Sequence, residues 1–122
     1  MSGQIEKSFS EPEEIVELSF LFDFYGALLK EEHQRIFEDY VENNLSLSEI
    51  AKQRNITRQG IYDIVKRCRK KLREYEDKLQ LIGKFRDARE KLEKIEDIAN
   101  SCENEEVKNS IPLLTQEIYE IL

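Results

Sequence analysis

The chain has 122 residues, of which 37% are charged and 39% apolar, with no Trp, four Gly, two Pro and a net charge of −7. That length gives one compact domain, or a small domain with an appendage, and the scarcity of β-branched runs argues against a sheet. The longest apolar stretch, residues 18–29, is about 12 residues long against the roughly 20 that a membrane helix needs, so no membrane partner is expected.

In chain order, the spacing predicts a first helix from about Ser10 to Leu29, opened by a capping box of Ser10 and Glu13. Its apolar residues (Ile15, Val16, Leu18, Phe20, Leu21, Phe22, Phe24, Tyr25, Leu28 and Leu29) wrap more than one face. A surface helix shows a single stripe, so burial on two sides is expected, the second against another subunit. A second helix is expected over residues 30–42, with Ile36, Phe37, Tyr40 and Val41 on one face and "ENN" at 42–44 ending it. Ser46 and Glu49 make another capping box, so a short helix begins at Leu47 and stops at Asn55. Thr57 then caps a long helix running to about residue 82.

The long helix carries a heptad-like seam, Ile61, Val65, Cys68, Leu72, Tyr75, Leu79 and Ile82, whose register Gly83 is expected to break. A second seam follows at Phe85, Ala88, Leu92, Ile95, Ala99 and Cys102, and a third at Val107, Ile111, Leu114, Ile118 and Ile121. Pro112 either opens the last helix or kinks it. The expected organisation is an all-α domain over residues 1–82, followed by a helical hairpin or bundle over 83–122 that packs on the long helix or on a partner subunit.

Residues 47–66 fit a helix-turn-helix. Such a unit needs a small residue where its two helices cross, a turn residue that accepts positive φ, and apolar residues in the angle. Ala51 is the small residue, Asn55 the turn residue, and Leu47, Ile50, Ile56, Ile61 and Ile64 fill the angle. This register turns Thr57, Arg58, Gln59, Tyr62, Asp63 and Lys66 outward, where base edges would lie. Arg58 suits a guanine edge and Gln59 an adenine edge or a phosphate, while Tyr62 can stack on a base. Ser46, Ser48 and Lys52, at the start of the first of the two helices, stand where phosphate backbones are commonly met.

Charge is divided along the chain. Residues 1–50 hold 12 acids and 3 bases, residues 51–73 hold 1 acid and 9 bases, and residues 74–122 hold 13 acids and 7 bases. The acidic total thus conceals a basic segment in which Arg67, Arg69, Lys70, Lys71 and Arg73 extend the positive surface, adding sequence-independent attraction for phosphates.

The stretch from residue 21 to 79, with "FYGALL", "LSLSEIA" and "RQGIYD", resembles the YlxM-type proteins of Gram-positive bacteria. More distantly, "LSLSEIAKQRNITRQGIYDIVKRCRKKL" is similar to region four of bacterial sigma factors. The resemblance implies an all-α, sigma region four-like helix-turn-helix protein whose gene accompanies those of the signal recognition particle GTPases. It implies an accessory or regulatory role in that targeting pathway, with operon DNA or the particle's RNA as partner, and those GTPases as further partners. The sigma-like pattern carries over at Arg58, Gln59, Tyr62 and Lys66 and departs at Gly60, Tyr62 and Asp63, where small polar residues are usual.

No catalytic site, cofactor or metal site is expected. His33 is the single histidine, Cys68 and Cys102 stand on separate seams, and the four glycines are isolated from one another. The polar, acidic start has no secretory pattern, so a cytoplasmic protein with reduced thiols is expected. The leading reading is a homodimeric nucleic-acid-binding regulator, with Ser46, Ser48, Lys52, Thr57, Arg58, Gln59, Tyr62, Lys66, Arg67 and Lys70 at the interface. The alternative is a protein adaptor that binds a GTPase or RNA polymerase through its acidic helices, with the helix-turn-helix serving only as structure.

Overall fold

The computed structural model describes residues 12–122 and is all-α, with six α-helices and one 3-10 turn among the described residues. The expected Ser10–Glu13 capping box lies outside the described residues. The chain divides between Gln80 and Leu81 into two compact units.

The first unit begins with α1 (Pro12–Tyr25), which tightens into a 3-10 turn at Gly26–Leu28 before Leu29 becomes extended. The helix therefore stops short of the expected Leu29. At Gly26 a Cβ would come within 2.8 Å of the Phe22 ring, so the turn closes against that ring because no side chain intervenes. Leu18, Leu21 and Tyr25 form the buried stripe, spaced three and four apart as helix periodicity requires. The second apolar face is uncovered: Val16 is 57% exposed and Phe20 44%.

Helix α2 (Glu31–Val41) buries Ile36, Phe37, Tyr40 and Val41, with the Phe37 ring 5.8 Å from Phe22 and 6.4 Å from Tyr40. It ends as the sequence suggested, with Asn44 at φ 53° and the Leu45 amide donating back to the Asp39 carbonyl at 3.0 Å. Helices α3 (Leu47–Arg54) and α4 (Arg58–Leu79) complete the unit. Four seam residues of α4, Ile61, Val65, Cys68 and Leu72, are fully buried and form the centre of the core with Leu18, Ile36, Phe37, Leu47 and Ile50. Polar ties join the helices around it. Arg54 pairs with Asp39 at 2.9 Å, the Ser19 hydroxyl donates to Glu42 at 2.7 Å, and the Tyr25 hydroxyl donates to Glu76 at 2.5 Å.

The seam of α4 does not run on to Ile82. Leu79 is 44% exposed, and the helix stops at Gln80, which adopts φ 53°, ψ 34° and donates its amide to the Glu76 carbonyl. Gly83, expected to break the register, lies inside the next helix. The left-handed residue that closes α4 is Gln80, three residues before the glycine.

The second unit pairs α5 (Leu81–Asn100) with α6 (Glu105–Ile121), which opens at Asn104, whose side chain accepts the Val107 amide at 3.2 Å. Pro112 lies inside α6 rather than at its start. The Thr115 hydroxyl meets the Pro112 carbonyl at 3.0 Å and Glu96 of α5 at 2.5 Å. Thr115 is the buried residue of α6, whereas Leu114, Ile118 and Ile121 of the expected third seam are exposed. The face turned to α5 thus follows Val107, Ile111, Thr115 and Tyr119, an i, i+4 line displaced from the 3,4 seam.

Candidate nucleic-acid interface

Local chemistry sets the angle between α3 and α4. Ser46 accepts the Glu49 amide while its own amide donates to the Glu49 carboxylate, both at 3.1 Å, so the capping box is closed. Asn55 takes the left-handed conformation at φ 56°, ψ 42°, and the Ile56 amide donates to the Ala51 carbonyl at 3.1 Å. Thr57 then caps α4 by accepting the Gly60 amide at 3.0 Å. Gly60 fits because Ile56 folds over it: a Cβ there would lie 2.9 Å from Ile56 Cγ2 and 3.1 Å from Thr57 Oγ1. In the sequence Gly60 reads only as a departure from the sigma pattern, and the signal that explains it is the apolar plug four residues earlier.

The expected interface residues fall into distinct situations. Ser48, Lys52, Gln59, Lys66, Arg67 and Lys70 are exposed, whereas Arg58 and Tyr62 are half-buried. Ser46 and Thr57 each accept one backbone amide at a helix cap, which leaves the hydroxyl hydrogen and a second lone pair for a partner. Gln59 donates through Nε2 to Asp63 at 3.0 Å. That bond fixes the amide and leaves its carbonyl oxygen and second N–H for a partner. Ile64, placed inward by the sequence, is only half-buried.

The basic run of α4 is not uniform. Arg69 pairs with Glu14 of α1 at 2.8 Å, and Arg73 reaches Glu14 at 3.4 Å and Glu17 at 3.6 Å. These two arginines, expected to extend the positive surface, are instead neutralised by the first helix. Lys66, Arg67, Lys70 and Lys71 take part in none of the ion pairs among the described residues. With a rise of about 1.5 Å per residue, the outward residues from Gln59 to Lys70 span about 16 Å of helix. Uncompensated positive charge therefore lies along one edge of α4, and Asp63, Glu74 and Asp77 bound it at the two ends.

The charge of this edge acts on His33 of α2. Its pKa is held below the ordinary histidine value by desolvation first and then by Lys30, Arg67 and Lys71, with Glu32 opposing. Nothing in the sequence joins His33 to Arg67, since they are 34 residues apart. Beneath the same edge Cys68 is buried, and burial pushes its thiol up to about 11 against the pull of Lys71 and Arg67. It is a core residue with little thiolate character.

A short capped helix, a left-handed turn residue and a second helix with an outward polar face define a helix-turn-helix protein. The chain belongs to the UPF0122 family, described as "Putative helix-turn-helix protein, YlxM / p13 like", whose profile matches residues 12–111. It is 45% identical over 80 residues to a UPF0122 protein of Caldanaerobacter subterraneus, covering 66% of this chain and 68% of that protein. A UPF0122 protein of Clostridium novyi is 40% identical over 103 residues, covering 81% and 90% of the two chains. One from Bacillus thuringiensis is 37% identical over 101 residues, covering 81% and 92%.

Proposed function

We propose that this chain is a cytoplasmic, homodimeric regulatory or accessory protein that binds nucleic acid through α4. The observation that carries this reading is the edge of α4 where Lys66, Arg67 and Lys70 are exposed and outside every ion pair among the described residues, next to Arg58, Gln59 and Tyr62. Arg58 and Gln59 meet base edges, while Ser46, Ser48, Lys52, Thr57, Lys66, Arg67 and Lys70 meet phosphates. The homodimer belongs to this reading because Val16 and Phe20 line an open apolar groove with Ile15, Ser19, Asp23 and Val41. The signal recognition particle pathway enters through the resemblance alone, so the particle RNA and the chain's own operon DNA are both probes. Mobility shifts should show salt-sensitive binding to one of them, abolished by charge reversal at Arg58 and Lys66. Binding that survives the reversals would move the interface elsewhere.

The adaptor reading keeps one observation in its favour. In the acidic second unit Ile98 is 72% exposed and Ile121 83%, with Ile95, Leu114 and Ile118 also open, an apolar surface that a partner helix of a GTPase or RNA polymerase would fit. If neither nucleic acid binds at moderate salt, this surface becomes the working one.

A further inference from the structure

The second unit carries an apolar face whose position follows from helix geometry. Thr115 of α6 meets Glu96 of α5, and Tyr119, one turn further on, shares a groove with Arg89 and Phe85, which lie earlier in α5. The two helices are therefore antiparallel. The buried residues Leu92 and Thr115 mark the line on which each helix faces the other. At about 100° per residue, Ile95 and Ile118 are turned about 60° from that line, Leu114 about 100°, and Ile98 and Ile121 about 120°, all in the same sense. Exposure climbs with the turn, from 41% at Ile118 and 43% at Ile95 to 72% at Ile98 and 83% at Ile121. In an antiparallel pair, equal turns in one sense bring both stripes to the same side. The groove obeys the same rule, since Phe85, Arg89, Glu93, Glu96 and Tyr119 are all turned the other way and line one opening. One side of the hairpin is thus polar and the other apolar.

Charge on the rim of the apolar side identifies its occupant. Along the patch α5 carries Lys91 and Lys94, and α6 carries Glu117. Asp87, on the same side of α5, lies a turn before the patch. Lys91 takes part in none of the ion pairs among the described residues, and Lys94 holds an exposed contact to Glu90 at 3.4 Å, a weak one. A face with one basic and one acidic edge complements itself. A two-fold axis parallel to the helices lays α5 of one copy on α6 of the other. Because Thr115 is level with Glu96, Glu117 then comes level with Lys94. An axis across the helices would instead lay lysines on lysines. The unit also needs cover, because its buried residues are only Ile82, Leu92, Ala99 and Thr115, few for a chain of this length.

We propose that the second unit is a self-association module, in which two copies stack the Ile95, Ile98, Leu114, Ile118 and Ile121 faces into an antiparallel four-helix bundle. The occupant of this face is a second copy of the chain rather than the partner helix of the adaptor reading. The surface is separate from the Val16 and Phe20 groove and independent of the reading of α4.

The test is sedimentation equilibrium of the full chain over about a 100-fold concentration range. Val16→Glu with Phe20→Glu silences the groove of the first unit, and this parent should still form dimers. Adding Ile98→Glu and Ile121→Glu should raise the dimer dissociation constant about 100-fold or more. In the parent, Glu117→Lys should raise it about tenfold, and Lys91→Glu with Lys94→Glu in the same chain should restore it. Circular dichroism of each variant separates lost association from lost fold. A monomeric parent, dimers that survive the Ile98 and Ile121 changes, or a charge swap that fails to restore association would overturn the proposal. Salt-sensitive nucleic-acid binding by a monomeric parent would overturn this face while leaving the α4 reading intact.

Discussion

Arg67 and Arg69 are two residues apart on one helix, and replacing either with Gln removes the same unit of charge. On sequence grounds the two changes are equivalent. In the structure they are not, because Arg69 is only 17% exposed and bound to Glu14 at 2.8 Å, whereas Arg67 is exposed and outside every ion pair among the described residues. Exposed pairs contribute about 0–1 kcal/mol, and breaking a fully buried one costs about 3–5 kcal/mol. The Glu14 side chain keeps 26% of its exposure and a second contact to Arg73 at 3.4 Å, so the loss falls towards the lower limit. Arg69→Gln should therefore destabilise the first unit by about 1–1.5 kcal/mol, lowering the urea midpoint by about 0.5 M. It should leave the salt dependence of nucleic-acid binding nearly unchanged. Arg67→Gln should show the reverse pattern: stability within about 0.5 kcal/mol of wild type, and a salt slope reduced by about 0.9. Urea unfolding followed by circular dichroism, together with anisotropy titrations at several salt concentrations, reads both quantities. Matching behaviour of the two variants in both assays would refute the division of α4 into a neutralised and a free flank.

Other consequences can be checked with single changes. Asn55→Gly should be tolerated within a few tenths of a kcal/mol, whereas Asn55→Ala should cost about 1–2 kcal/mol in urea unfolding, because Ala meets the left-handed penalty at φ 56°. Gly60→Ala should destabilise by about 1 kcal/mol even though Ala is the better helix former, and Ile56→Ala in the same chain should recover part of the clash term. With the Cys68 thiol at about 11, a thiol reagent at about pH 8 should modify one cysteine of the native protein, Cys102, and both after unfolding; two equally fast equivalents would contradict the buried position of Cys68. Because the folded state lowers the His33 pKa, the unfolded chain binds more protons in that range. Stability should therefore be fully present above the ordinary histidine pKa and decline as pH falls through it, and His33→Gln should flatten that dependence in melts taken across the interval.

What the sequence determined by itself is whatever depends on near neighbours or on periodicity. The capping box at Ser46, the Thr57 cap, the left-handed turn at Asn55 and the buried line Ile61, Val65, Cys68 and Leu72 are all interactions within a turn or two of helix, and each stands where spacing placed it. The helix-turn-helix was legible for that reason. The tertiary structure decided matters whose partners are remote in sequence. Arg69 finds Glu14 at a separation of 55 residues, and Tyr25 finds Glu76 at 51. Which arginines are cancelled, and whether the charge of Arg67 acts on His33, depends on how α1 and α2 lie across α4. The third seam failed for a related reason, since a run of apolar residues allows several faces and the partner helix selected the one centred on Thr115. A charge has no local signature of being paired. Periodicity shows that a helix has a polar face, and only the packing of the other helices leaves that face open or neutralises it.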